Sequence, residues 1–193
     1  MKPPPAPSDP GTPGAETVVM PRGPETAGGP RIDVVIAPDD AWRAVPQAED
    51  VVRRAIAAAA TMPGAAGGAS AVVCVLLCDD ATIAGLNERW RGIAKPTNVL
   101  SFPAPRRDPG LAGADAVPLG DIAIAAETVA REAAASGKTV ADHLAHLAVH
   151  GFLHLLGHDH DNDEQAQAME QLERDILARI GIADPHAVQD VDI

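Results

Sequence analysis

The side chains in this sequence best suited to chemistry are its histidines. Six of the seven fall between His143 and His160, and the run HGFLHLLGHDH at residues 150–160 carries four of them. Imidazole titrates near neutral pH and is the commonest metal ligand, so such a row suits either proton transfer or metal binding. At about 100° per residue on a helix, His143, His146, His150 and His154 form one stripe. Val140, Leu144, Leu147, Gly151 and Leu155 form a second stripe, roughly 80–100° away. Most other positions of residues 139–156 are apolar, so this helix is hydrophobic nearly all round and is expected to be buried. Imidazoles on a buried helix must be hydrogen-bonded or ligated, because an unpaired buried polar group costs on the order of a few kcal/mol.

At positions i and i+4, His150 and His154 can aim ring nitrogens at one point about 2.0–2.1 Å from each, as when a helix supplies two zinc ligands. Gly157 offers a left-handed cap that reverses the chain and returns His158, Asp159 or His160 towards the same point. Three neutral imidazoles with one open position is a catalytic zinc arrangement, whereas structural zinc sites close with four ligands. Zinc proteases of the H-E-x-x-H kind carry a glutamate directly after the first ligand as general base. Here that position is Gly151, which lowers the rank of peptide hydrolysis.

The net charge of −12 argues against a protein coated with polyanion-binding cations. The distribution is uneven. Residues 159–193 hold ten acids and two bases, while residues 85–107 hold five bases (Arg89, Arg91, Lys95, Arg106, Arg107) against Glu88. A polyanion can therefore be met on one basic segment and repelled elsewhere, although a solvated loop has the same composition. Cys74 and Cys78 match neither a disulfide framework nor a C-x-x-C metal motif and read as buried structural thiols. Ser101 has no base partner visible in sequence and reads as a strand residue lining the cleft. Asp121 is either the acceptor for a ligand histidine's second ring nitrogen or a plain strand-end carboxylate. His146 is either a support for a ligand or a satisfied core residue. Asp159 lies inside the histidine run and is a further site candidate.

These side chains need elements to position them. Residues 1–30 are rich in Pro, Gly, Ala and Thr and read as a disordered tail, with a single domain over residues 31–193. Strands are expected at residues 32–36, 71–77, 98–102 and 119–125, the last two joined by a Pro/Gly-rich loop over residues 103–118. Helices are expected at residues 47–61, from Asp79 or Asp80 to Gly92, and at residues 127–136, 139–156 and 163–180. This order predicts an α+β fold: a small mixed four-stranded sheet packed with about five helices. No stretch approaches the roughly 20 apolar residues of a membrane span, and the N-terminus lacks a secretory apolar core, so the cytoplasm is the expected location.

The histidine run, together with RGIAKPTNVLSFP (residues 91–103), LGDIAI (residues 119–124) and M-E-x-L-E (residues 169–173), closely resembles the YbeY family of endoribonucleases, the ribosomal RNA maturation factors. The similarity runs over about residues 32–185. It implies one zinc ion per chain on His150, His154 and His160 and a catalytic role for Arg91; beside these, His150 is expected to be catalytic through the ion, and Arg91 and Lys95 to contact the RNA. It further implies cleavage of single-stranded RNA in maturing the 3′ end of 16S ribosomal RNA, and ribosome quality control. Ribosomal proteins or an assembly GTPase are the partners expected beside RNA. Two readings from other classes stand against it: a non-catalytic assembly factor that uses zinc for folding, and a peptidase-like metal hydrolase. His158 stands where the family usually has an aromatic residue and adds a candidate ligand. The tail before Arg31 lies outside the resemblance.

Overall fold

The computed structural model describes residues 29–37, 41–62, 71–105 and 117–187. The predicted tail up to residue 28, the Gly-rich stretch after Pro63, and Arg106 and Arg107 within the Pro/Gly-rich loop lie outside the described residues. The elements run β1 (Arg31–Ile36), α1 (Ala48–Ala60), β2 (Ala71–Cys78), α2 (Asp80–Arg91), β3 (Val99–Pro103), β4 (Val117–Ala125), α3 (Ala126–Ala135), α4 (Val140–Leu155) and α5 (Asp163–Arg179). This is the expected α+β order, with each boundary within about two residues of the sequence reading.

The four strands form one sheet in the order β1-β2-β4-β3. β2 runs parallel to both β1 and β4, and β3 is antiparallel to β4. As an interior strand covered on both sides, β2 reads AVVCVLLC, an almost continuous apolar run without polar alternation. Its Val73, Val75 and Leu77 join Ile122 and Ile124 of β4 in a core closed by α1, α3, α4 and α5. The opposite face is thinner, with Cys78, Leu100, Ala123 and Ala125 packed beneath Ile83 of α2. Cys78 is buried as predicted; Cys74 is only half-buried, on the face where, among the described residues, α2 is the covering helix.

Local signals set the helix ends. Asp79 caps α2 by accepting from the Thr82 backbone N–H at 2.7 Å. Thr139 caps α4 by accepting from Asp142 N–H at 3.0 Å. After α4, Gly157 takes φ +92°. Its N–H donates to His154 O at 3.0 Å, and that of His158 to Leu153 O at 3.0 Å. That pair of bonds is a Schellman cap, which turns the chain back over the end of the helix.

α4 lies unusually close to the sheet. A Cβ on Gly151 would sit 3.0 Å from Ile122 Cγ2 and 3.1 Å from Ser101 Oγ, and the Ser101 hydroxyl donates to Gly151 O at 3.2 Å. Position 151 therefore faces β3 and β4, where even a Cβ would press on Ile122 and Ser101. A glutamate there would point into the sheet and not towards the histidines.

Candidate metal centre

With Gly151 against the sheet, the histidine stripe of α4 faces α5 and the returning chain. His150 Nε2 and His154 Nε2 are 3.1 Å apart, close to the roughly 3.3 Å between two nitrogens that share a tetrahedral ion at about 2.0–2.1 Å. The cap at Gly157 brings His160 in, its ring stacked on His150 with centroids 5.6 Å apart and edge-on to His154 at 5.1 Å. One ligand atom from each of His150, His154 and His160 lies within 4.8 Å of the others, a group able to hold a metal ion. His158 and Asp159 are exposed in the same turn and do not join that group. Burial, followed by the neighbouring imidazoles of His150 and His160, lowers the pKa of His154 and keeps its ring neutral, as a ligand must be.

The residue that sequence reasoning missed is Glu173 of α5, 1% exposed. Its Oε1 accepts from His150 Nδ1 at 2.7 Å, and its Oε2 takes His146 Nε2 at 3.0 Å and His186 Nε2 at 2.6 Å. With Nδ1–H given to the carboxylate, His150 presents the lone pair of Nε2 to an ion, the usual way a second partner fixes a ligand's tautomer. Burial pushes the Glu173 carboxyl up, but the hydrogen bonds from His146 and His150 pull it further the other way, far below the ordinary range. It is therefore an anion in the core. A signal was available: Met169, Glu173, Ile176 and Leu177 recur at helical spacing as the buried stripe of α5, and a carboxylate within such a stripe demands partners.

Asp121, the sequence candidate for this support, is exposed on β4. It lies in register with Cys74, where burial first and then the charges of Asp121 and Asp33 raise the Cys74 thiol pKa. This is the face that packs α2, so the plain strand-carboxylate reading of Asp121 stands. His146 proves to be a hydrogen-bonded partner of Glu173. His143 Nε2 pairs with Glu132 Oε2 at 2.8 Å, and the same oxygen accepts from Asn98 Nδ2 at 3.0 Å, tying α3, α4 and the start of β3 together.

A cavity of about 400 Å³ opens onto this cluster, lined by His143, His146, His150, His160, Glu173 and Asn98 among others. Arg91 is the last residue of α2 and exposed, and Lys95 is exposed in the following segment, with its carbonyl held by Asn87 Nδ2 at 2.8 Å. Neither borders the cavity; the segment that carries them reaches it at Asn98. Beside them Trp90 is 63% exposed and Ile93 50% exposed, with the Arg89 guanidinium 5.7 Å from the Trp90 ring centre. No helix among the described residues is long and apolar enough to cross a membrane.

Comparison with known proteins identifies the family. The sequence model of the family described as Endoribonuclease YbeY matches residues 37–181. A protein named Endoribonuclease YbeY from Rhodopseudomonas palustris strain BisB18 is 55% identical over 162 residues, covering 83% of this chain and 95% of its own length. Its namesake from Bradyrhizobium sp. strain BTAi1 is 54% identical over 160 residues, covering 82% and 93%. A Thermotoga maritima protein known from its solution structure aligns over 81% of this chain and 99% of its own, at 20% identity and a TM-score of 0.41. On its sequence match and its relatives, this chain belongs to the YbeY endoribonuclease family.

Proposed function

We propose that the chain is a zinc-dependent endoribonuclease that cuts single-stranded RNA, acting in maturation of the 3′ end of 16S ribosomal RNA and in ribosome quality control. The observation that carries the metal part is His150 Nε2 lying 3.1 Å from His154 Nε2 while its Nδ1 is engaged by the buried Glu173. A donor set of neutral imidazoles, one backed by a carboxylate, fits zinc. His150, His154 and His160 would hold one ion. Zinc supplies a Lewis acid for a phosphodiester oxygen and lowers the pKa of bound water to about 7.

The chain's own residues supply the rest. Arg91, which the resemblance makes catalytic, stands outside the cavity, so it meets the charge that builds on phosphorus only where bound RNA draws its segment and the metal together. Lys95 adds a phosphate contact. The exposed face of Trp90 gives an unpaired base a surface to stack on, and the acidic stretch over residues 159–193 directs the polyanion towards this basic segment. Ribosomal proteins or an assembly GTPase are the protein partners that such an acidic chain would use on the ribosome, and the cytoplasm is the compartment.

The test is metal content together with RNA cleavage, for the parent, the chelated protein and His154→Ala. One zinc per chain is expected, with cleavage abolished by chelation and by the substitution. Cleavage that persists after complete metal removal defeats the zinc-enzyme reading, whereas a zinc-loaded protein that leaves RNA intact but unfolds on chelation favours a non-catalytic assembly factor.

A further inference from the structure

Glu173 gathers a second set of possible metal ligands, since His146, Glu173 and His186 also bring one ligand atom each within 4.8 Å of the others. Proton accounting argues against an ion there. A ligand imidazole keeps its proton on the ring nitrogen turned away from the metal, and that N–H needs an acceptor. His146 Nδ1 is buried with no hydrogen-bond partner among the described residues. A metal on its Nε2 would bury an unpaired donor, at about 1–3 kcal/mol. If Nε2–H donates to Glu173 instead, Nδ1 is a bare lone pair and no donor is orphaned. The contacts to Glu173 Oε2, 3.0 Å from His146 and 2.6 Å from His186, are hydrogen-bond lengths. The 2.6 Å of His186 is well short of the roughly 3.3 Å between two ligands of a tetrahedral zinc. His150 gives the opposite result, because its Nδ1 has an acceptor and its Nε2 is left for an ion.

From this contrast we infer that His186 is a positioning residue for the metal centre, acting through Glu173. It sits in the C-terminal segment, which Lys138 Nζ anchors by donating to Pro185 O at 2.5 Å and which the contact of His186 N–H with Asp184 Oδ1 at 2.8 Å turns inward. With two N–H groups on Oε2, the carboxylate cannot rotate without losing both, so Oε1 stays on His150 Nδ1 and the Nε2 lone pair stays aimed at the ion. His186 lies beyond residues 37–181 matched by the family, so this support comes from a part of the chain that the match does not reach.

The inference rests on the metal-centre reading above, and the experiment separates the two. Zinc affinity is measured by chelator competition on the full chain, with the visible spectrum of the cobalt-loaded form, for the parent, His186→Leu, His186→Gln and His186→Ala. Gln keeps an N–H donor; Leu keeps the bulk without it. One zinc per chain is expected throughout, with affinity about 10–100-fold weaker for Leu and Ala, most of it restored by Gln, and a cobalt spectrum that shifts and recovers in parallel. A purely space-filling role would make Leu and Gln alike and would overturn the inference, as would parent-like affinity in both Leu and Ala. Two zinc ions in the parent and one in the variants would overturn it by making His186 a ligand. A parent that binds no zinc at all fails the metal-centre reading itself.

Discussion

On one side of the sheet, Val73, Val75, Leu77, Ile122 and Ile124 are sealed by four helices, and the histidines of α4 meet a buried carboxylate from α5. On the other side, α2 packs over Leu100, Ala123 and Cys78, with Cys74 half-buried and Trp90, Arg91 and Ile93 exposed. The difference separates two tasks. A metal needs ligands whose positions and protonation are settled before it arrives, and that requires dry, close-packed neighbours. A flexible polyanion needs reachable cations and a flat apolar face, which burial would remove.

The largest effect should come from the sealed side. His154→Ala is expected to weaken zinc binding by more than the roughly 10–100-fold that losing an orienting partner costs, and to abolish cleavage; chelator competition reads the first directly. Unchanged zinc affinity would remove His154 from the ligand set and with it the division between the two sides. Next comes Gly151→Ala, which pushes a methyl against Ile122 Cγ2 and Ser101 Oγ. It should lower stability by about 1–3 kcal/mol, seen as a lower urea midpoint at constant slope. A neutral result would mean that α4 can lift from the sheet and that its histidines are less fixed than the close packing implies.

On the open side, Arg91→Ala and Trp90→Ala should leave zinc content and urea midpoint near those of the parent while slowing RNA cleavage. A lost base stack accounts for about 1–3 kcal/mol of binding, and loss of a phosphate contact should reduce the steepness of the salt dependence. Because Trp42 is 3% exposed, quenching of the Trp90 fluorescence by oligouridylate reports on the open side alone. If the two variants instead lost zinc, the two sides would not be independent. The smallest effect concerns Cys74. Burial and then Asp121 and Asp33 raise its thiol pKa, so at pH 8 less thiolate is present than in a free cysteine. Alkylation should be several-fold slower than for a model thiol, and Asp121→Asn should speed it; a rate equal to the model thiol would mean that neither burial nor the acidic neighbours hold the thiolate back.

How much of the site was legible follows the range of each interaction. The His150–His154 pair was readable because helix phase is local, and the return of His160 because a glycine past a helix end has one common use. Glu173 was not identified, since the sequence shows a carboxylate at a stripe position without showing which helix it meets 23 residues away. Asp121 offers itself as a support from sequence because a strand read alone does not reveal which of its alternate side chains faces α4.

The amino-acid order by itself determined the α+β sequence of elements, the two helical candidate ligands, the turn that returns a third candidate, and the glycine that stands where a protease has its base. All of these depend on backbone preferences and periodicity within about 20 residues, which act before any tertiary contact forms. The tertiary structure alone decided that Gly151 faces the sheet, that Glu173 and His186 close the far side of His150, and that Arg91 and Lys95 stand apart from the cavity. Those outcomes depend on which faces pack together, a choice made by burial summed over the whole core and carried by no single segment.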